Sequence, residues 1–547
     1  MIKNKFLGAF MAAAIVFGSL NPAFADLNNS VVAMHEQQKQ VKISKEEARK
    51  IGMKEIKVLF GIDVSDFDEN INFDSYMGIC NWNIFWSKYI DEERIEFFVS
   101  VDSNTGKIRM LSKHENVNFD RNEKENAKID LEKAKEIALD YIKQISPEKV
   151  NQIKLSDYDC FGNEYVFTYV RDIDGIEYDE DYITVDVDAV NGKMIGYYYT
   201  WLDNINFPKV DNIISKEEAE KLFDENIEVY LNYKSSFDSK TNKEKAMLVY
   251  NYRFKNSDMI DAKEGKFISW GGQSKEKEET RDIDESKKEE IFKNAKHSSK
   301  LEKNLTREEA VELIDKIIKE LYNVDVELNN VQYLRDNYIN SDGIWMADFV
   351  EKGNDKYVGN VIISALTGKL MNISMWDNDE KDEAFTPKLT WDEAYEKAIE
   401  AISEFFPEKI KDIKTEQIKY PLTYKFEGKE IQKRNIYFNF PRIVNGVEYY
   451  DNNIVIVVDM KTGQIRELDC FWNDKIEFED IDNIISKEDA KKIFFKENKP
   501  KLKYINLNTD NDNLKYETKL IYMFTPVDLS KSVFDEINAH TGKATNF

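Results

Sequence analysis

The chain has 547 residues, 13% of them aromatic, and its 103 acidic side chains outnumber 77 basic ones to leave a net charge of −26. Such a length can bury several hydrophobic cores. The charge argues against nucleic acid and anionic lipid, both of which select Lys and Arg, and favours solubility, cation association or a basic partner.

Residues 1–25 read as a cleaved signal peptide. Lys3 and Lys5 precede an apolar stretch from Phe6 to Leu20, Asn21 and Pro22 close it, and Ala23-Phe24-Ala25 supplies the small-x-small pattern. Cleavage leaves 75 basic against 103 acidic side chains, a net charge of −28. No later stretch is long and apolar enough to span a membrane. Cys80, Cys160 and Cys470 are too few and too scattered for a disulfide framework or a zinc site.

One helix start recurs along the chain. Ser44/Glu47, Ser215/Glu218, Thr306/Glu309 and Thr390/Glu393 place a hydroxyl at the N-cap and a carboxylate three residues on, the spacing of a capping box. Ser486/Asp489 is a shorter-armed form, and Asp130 caps without the box. An alanine follows each cap by four residues (Ala48, Ala134, Ala219, Ala310, Ala394 and Ala490), where a small side chain lets the first turn approach a sheet. Each segment then closes on a glycine turn, at Gly106, Gly192, Gly265, Gly368, Gly463 and Gly542. Glycine suits a tight β turn because one turn residue needs positive φ.

The segments form two sets of three. Asp211-Asn-Ile-Ile-Ser-Lys-Glu217 recurs letter for letter as residues 482–488, so a three-segment block is duplicated. The expected order is a signal peptide at 1–25, segments at 26–113, 114–205 and 206–273, a charged linker at 274–304, then segments at 305–380, 381–476 and 477–547. Each segment reads as a helix followed by antiparallel strands.

The second and fifth segments carry the most distinctive run. Phe167-Thr-Tyr-Val-Arg171-Asp-Ile-Asp-Gly175-Ile-Glu-Tyr178 aligns with Phe438-Asn-Phe-Pro-Arg442-Ile-Val-Asn-Gly446-Val-Glu-Tyr449, and Trp201 or Trp472 follows. The central Asp-Gly or Asn-Gly is a hairpin cue. An arginine among alternating aromatics can stack on a ring and fork onto a carboxylate, inside the protein or on a partner. Arg171, Tyr178, Trp201, Arg442, Tyr449 and Trp472 are therefore the candidate interaction or structural residues. The acidic run at Asp172, Asp174, Glu177 and Asp179–Asp181 lacks calcium-loop spacing, and its second copy has Ile443 and Asn445. Hairpin polarity explains it more simply, so no metal or cofactor is expected. The four histidines form no metal-ligand pair, and HExxH, GxSxG and phosphate-binding loops are absent from the sequence.

This pattern resembles the repeated domain of the YcdB/YcdC family, related to PepSY-type domains. The resemblance is fullest where the aromatic-x-aromatic-x-Arg run, the Asp-Gly or Asn-Gly hairpin, the alternating strand, the glycine turn and the tryptophan follow in order. It implies an α+β fold of tandem helix-on-antiparallel-sheet units, exported to the surface or envelope of a Gram-positive bacterium. It also implies a non-catalytic protein-binding module, with a secreted peptidase or wall hydrolase as the expected partner. Two other readings compete: an acidic, cation-associated envelope scaffold, and a hydrolase using carboxylates that meet only in the fold.

Overall fold

The computed structural model describes residues 41–547 apart from 77–78, 91–92, 116–126, 162, 203–204, 239–242, 270–278, 296–302, 336–342, 354–355, 378–383, 427–428, 511–514, 530–535 and 546–547. The expected signal peptide lies outside these residues. The chain divides after residue 204 into two compact units. It is a mixed α/β protein made mostly of sheet. No helix among the described residues is long and apolar enough to cross a membrane.

The first unit contains α1 (Lys45–Phe60), β1 (Asp68–Tyr76), β2 (Ile79–Ile90), β3 (Glu93–Asp102), β4 (Ile108–Glu115), α2 (Leu131–Ile145), β5 (Ile153–Phe161), β6 (Glu164–Ile173), β7 (Ile176–Asp188) and β8 (Met194–Thr200). Its strands run in the order β1-β2-β3-β4-β8-β7-β6-β5, each antiparallel to the next. Helix α1 lies on β2 and β3, and α2 on β6 and β7. Trp86, Phe97, Phe167 and Tyr197 fill the core beneath them.

The second unit opens with α3 (Lys216–Asn226), β9 (Ile227–Asp238), β10 (Lys243–Phe254), β11 (Met259–Asp261), β12 (Phe267–Ile268), β13 (Thr280–Arg281) and α4 (Glu285–Lys293). It continues through α5 (Arg307–Tyr322), β14 (Val326–Leu334), β15 (Ile344–Glu351), β16 (Tyr357–Ser364), β17 (Leu370–Asp377) and α6 (Trp391–Phe405). Then come β18 (Gln417–Ile418), β19 (Thr423–Phe426), β20 (Lys429–Gln432), β21 (Asn435–Val444), β22 (Val447–Asp459), β23 (Gln464–Phe471) and β24 (Glu477–Phe478). The chain ends in α7 (Lys487–Glu497), β25 (Asn498–Asp510), β26 (Lys515–Pro526), β27 (Glu536–Asn538) and β28 (Ala544–Thr545). One sheet runs β14-β15-β16-β17-β23-β22-β9-β10-β27-β28, with β21 added on β22 and β24 on β10.

The helix starts form as read. Capping boxes close at Ser44, Ser215, Thr306 and Thr390, while Asp130 and Ser486 accept from the backbone N–H three residues on. All six alanines after the caps are fully buried. The six turn glycines have φ between 65° and 73°. Each turn also holds the chain entering its helix: Ile43, Ile129, Ile214, Leu305 and Ile485 donate their N–H to Ser103, Ala189, Ala262, Ala365 and Ala539, and Lys388 donates to Met460. Side-chain packing follows, since a Cβ added at Gly192 would meet Ile129 at 2.6 Å.

Two segments do not close on themselves. Helices α3 and α7 run into β9 and β25 with no connecting loop. In four segments the turn residue bonds back to a strand start of the same segment, as Ser103 N–H does to Cys80 O and Ala365 N–H to Gly343 O. Ala262, however, donates to Leu520 in β26, and Ala539 donates to Leu248 in β10. Thus β11 pairs with β26 and β27 with β10. The segments at 206–273 and 477–547 exchange their long hairpins, so α3 packs on β25 and α7 on β9.

The charged stretch at 274–304, expected as a linker, holds regular structure in its described part. Its described part holds β13, paired with β18, and helix α4 capped by Asp284. The cause is a small apolar set, Ile283, Ile291 and Phe292, which packs against the core under α6. Ile291 is 5% exposed, and Lys411 reaches back to Glu289 at 2.6 Å.

Candidate functional site

The hairpins β6–β7 and β21–β22 turn on Asp174-Gly175 and Asn445-Gly446, all at positive φ. That is the geometry an Asp-Gly or Asn-Gly pair favours. Asp172 stabilises its turn by accepting from the Gly175 N–H at 2.7 Å, which accounts for one of the acidic side chains.

A bulge in each hairpin then places the arginine. Arg171 pairs with Tyr178 while Val170 pairs with Tyr182, so residues 179–181 stand out of the ladder. Arg442 and Pro441 pair with Tyr449 and Asn453 in the same way, displacing residues 450–452. Bulges re-aim side chains. Here one brings the fully buried Asp181 to 2.8 Å from Arg171 Nη1. Burial pushes the Asp181 carboxyl above its usual range, opposed by the Arg171 hydrogen bond and by the Leu202 N–H.

Trp201 completes this cluster. It is 3% exposed, with the Arg171 guanidinium 5.1 Å and Lys149 Nζ 3.9 Å from its ring centre. Tyr178 is buried opposite Arg171 in the ladder and donates to Glu180 at 3.1 Å. Arg171 thus joins the other two residues singled out in the first copy, Trp201 by its ring and Tyr178 across the ladder, with Lys149 and Asp181 beside it.

The second copy meets with altered chemistry. Arg442 lies 5.0 Å from the Trp472 ring and 4.9 Å from Phe478, and Lys409 lies 4.4 Å from Trp472. Tyr449 is buried and packs edge-on to Phe478 at 5.1 Å. Asn452 occupies the place of Asp181 and bonds to the backbone of Asn473 rather than to the arginine. Arg442 donates to Asn473 O at 3.3 Å, and its buried Nε has no hydrogen-bond partner among the described residues. Desolvation holds the Arg442 guanidinium below its ordinary range.

Sequence reasoning passed over Lys149 and Lys409. The signal was there, because Pro147-Glu148-Lys149 recurs as Pro407-Glu408-Lys409.

The copies differ most at the outer edge of the sheet. In the first, β5 pairs along β6 from Ile153 to Phe161. In the second, the corresponding chain makes one bridge, Ile413 with Arg442, and Lys414 N–H bonds Pro441 O at 2.9 Å. It then leaves the edge, and Gln417–Ile418 pairs with β13 instead. Among the described residues no strand covers β21 from Asn435 to Asn439 on that side. Two side chains stand in for a strand: Gln417 Nε2 donates to Asn439 O at 2.8 Å, and the Tyr420 hydroxyl accepts from Tyr437 N–H at 3.0 Å.

A cleft of about 750 Å³ opens here, lined by Asn439, Pro441, Gln417, Tyr420, Glu448 and Tyr450 among others. That volume is in the range of ligand sites. Two of its carboxylates are held in close ion pairs, Glu228 with Arg253 at 3.0 Å and Glu448 with Lys414 at 2.7 Å, while the third, Glu416, lies 4.0 Å from the same Lys414. The Arg253 hydrogen bond holds the Glu228 carboxyl below its ordinary range. The sequence signal for this edge was Pro441 itself, since proline is confined to strand edges and bulges.

A family profile described as the YcdB, YcdC repeated domain matches residues 70–201 and 314–472, together a little over half the chain. A second, the peptidase propeptide and YPEB domain, matches residues 484–546. No curated protein matches the chain. Among solved structures, the Bacillus megaterium YpeB C-terminal domain is 16% identical over 43% of this chain and 97% of its own, with a TM-score of 0.27. A GH43 β-1,3-galactosidase solved with galactodeoxynojirimycin is 11% identical over 68% of this chain and 89% of its own, with a TM-score of 0.08. Neither likeness carries an argument at such scores.

Proposed function

Since the chain belongs to the YcdB/YcdC repeated-domain family, we propose that it is an exported, non-catalytic protein-binding module that modulates an extracellular peptidase or cell-wall hydrolase. Its helix-and-sheet segments serve as six PepSY-like units in two blocks, with the third and sixth exchanging hairpins. The observation that carries the reading is the match of residues 484–546 to a domain described by its occurrence in peptidase propeptides.

In this reading Arg171, Tyr178 and Trp201, with Arg442, Tyr449 and Trp472, act from within. They brace the hairpins that present the outer surface. The test is affinity capture from culture supernatant and wall extract, followed by assay of each captured hydrolase with and without the chain. Recovery of a peptidase or wall hydrolase whose rate changes on binding supports the proposal. Capture of none, with no hydrolase altered, removes it.

A further inference from the structure

We propose that the uncovered edge of β21, with the cleft beside it, binds an extended peptide segment of a protein partner by strand addition. This deepens the protein-binding reading and rests on it. The occupant is indicated by the chain's own first copy. There β5 fills the corresponding edge, with Leu155 opposite Tyr169 and Tyr158 opposite Phe167. Leu155 and Tyr158 pack on the core while Asp157 and Asp159 face solvent, so the edge accepts a strand that alternates apolar and polar residues.

The second copy keeps what such a strand needs. Ile436, Phe438 and Phe440 point into the core and hold β21 rigid, while Tyr437 and Asn439 are exposed. The groups bonded by Gln417, Tyr420 and Lys414 belong to Tyr437, Asn439 and Pro441, which places the backbone groups of alternate residues on the outer side. Backbone bonding of this kind gives affinity, and pockets for alternate side chains give selectivity. Gln417 and Tyr420 act as plugs. They satisfy the edge in the free protein, guarding it against self-pairing, and yield to an incoming backbone.

The test uses the full chain and a synthetic peptide of residues 155–161 carrying Cys160→Ser, with a scrambled peptide as control. Binding is read by fluorescence anisotropy and by amide hydrogen exchange. The expected result is saturable binding with protection of the Tyr437 and Asn439 amides. Asn439→Pro removes an outward N–H in the register Pro441 already occupies, and is expected to weaken binding at least tenfold. Gln417→Ala with Tyr420→Phe is expected to tighten it severalfold. The exchange measurement on the unaltered chain decides the matter should either variant fail to fold. No binding at about 1 mM peptide, or binding without protection of those amides, overturns the proposal. If peptide binds as described but no hydrolase responds to the chain, the regulatory reading falls and the edge site stands. If Asn439→Pro modulates a hydrolase as the unaltered chain does, the edge site falls and the regulatory reading stands.

Discussion

Arg171 and Asp181 form a 2.8 Å ion pair with the carboxylate fully buried, whereas in the second copy Asn452 takes the place of that carboxylate and bonds to Asn473, and among the described residues Arg442 has no such ion pair. Identical hairpins therefore hold their arginines by different physics. Both use a ring face and a carbonyl, and Arg171 alone adds a buried charge pair.

Removing the arginine should separate the two. Arg171→Ala removes the ion-pair partner of a buried carboxylate and is expected to cost about 3–5 kcal/mol. Arg442→Ala loses cation–π contact and packing, at about 1–2 kcal/mol. Denaturant unfolding followed by tryptophan fluorescence compares them, and equal losses would contradict the distinction.

Asp186 gives a pH dependence. Burial, aided by the Glu164 charge, raises its carboxyl to about 7. Between about pH 4 and 7 the folded chain thus holds a proton that the unfolded chain has released, so stability falls as pH rises through that window. Asp186→Asn should add about 1–3 kcal/mol at pH 8 and little at pH 4. Melting temperatures at the two pH values check the sign.

Thiol reactivity should differ along the chain. All three cysteines are free; Cys160 is exposed, and burial pushes the Cys470 thiol up to about 12. At pH 8 iodoacetamide is expected to label Cys160 at least about a hundredfold faster than Cys470. Peptide mapping over time reads both rates.

Hairpin exchange predicts the effect of truncation. A chain ending at residue 476 lacks β25 and β26, leaving Phe223 without Phe524 at 5.5 Å and β11 with β12 as its one remaining partner. Proteolysis should then attack α3 and β11, although their own sequence is intact. Unchanged cleavage there would contradict the exchange.

Local chemistry was legible in the sequence, and partner choice was not. Caps at Ser44 or Thr306 and turns at Gly106 or Gly368 depend on neighbours a few residues away, so their residue types announce them. The hairpin after Asn226 alternates in the same manner whichever segment it joins. Only the missing loop after α3 and α7 hinted that the strand departs. The arginine–tryptophan contacts followed from residue pattern, but the Asp181 bulge needed the register. Around α4, charge masked three apolar side chains that suffice to seat a short helix.

The central claim is tested most directly by adding the purified chain to its own culture's secreted proteins and measuring peptide-bond and wall hydrolysis. The account predicts that the chain alone hydrolyses nothing and that it changes the rate of at least one secreted hydrolase in a saturable manner. Hydrolysis by the chain alone, or secreted activities unchanged at saturating concentration, would contradict it.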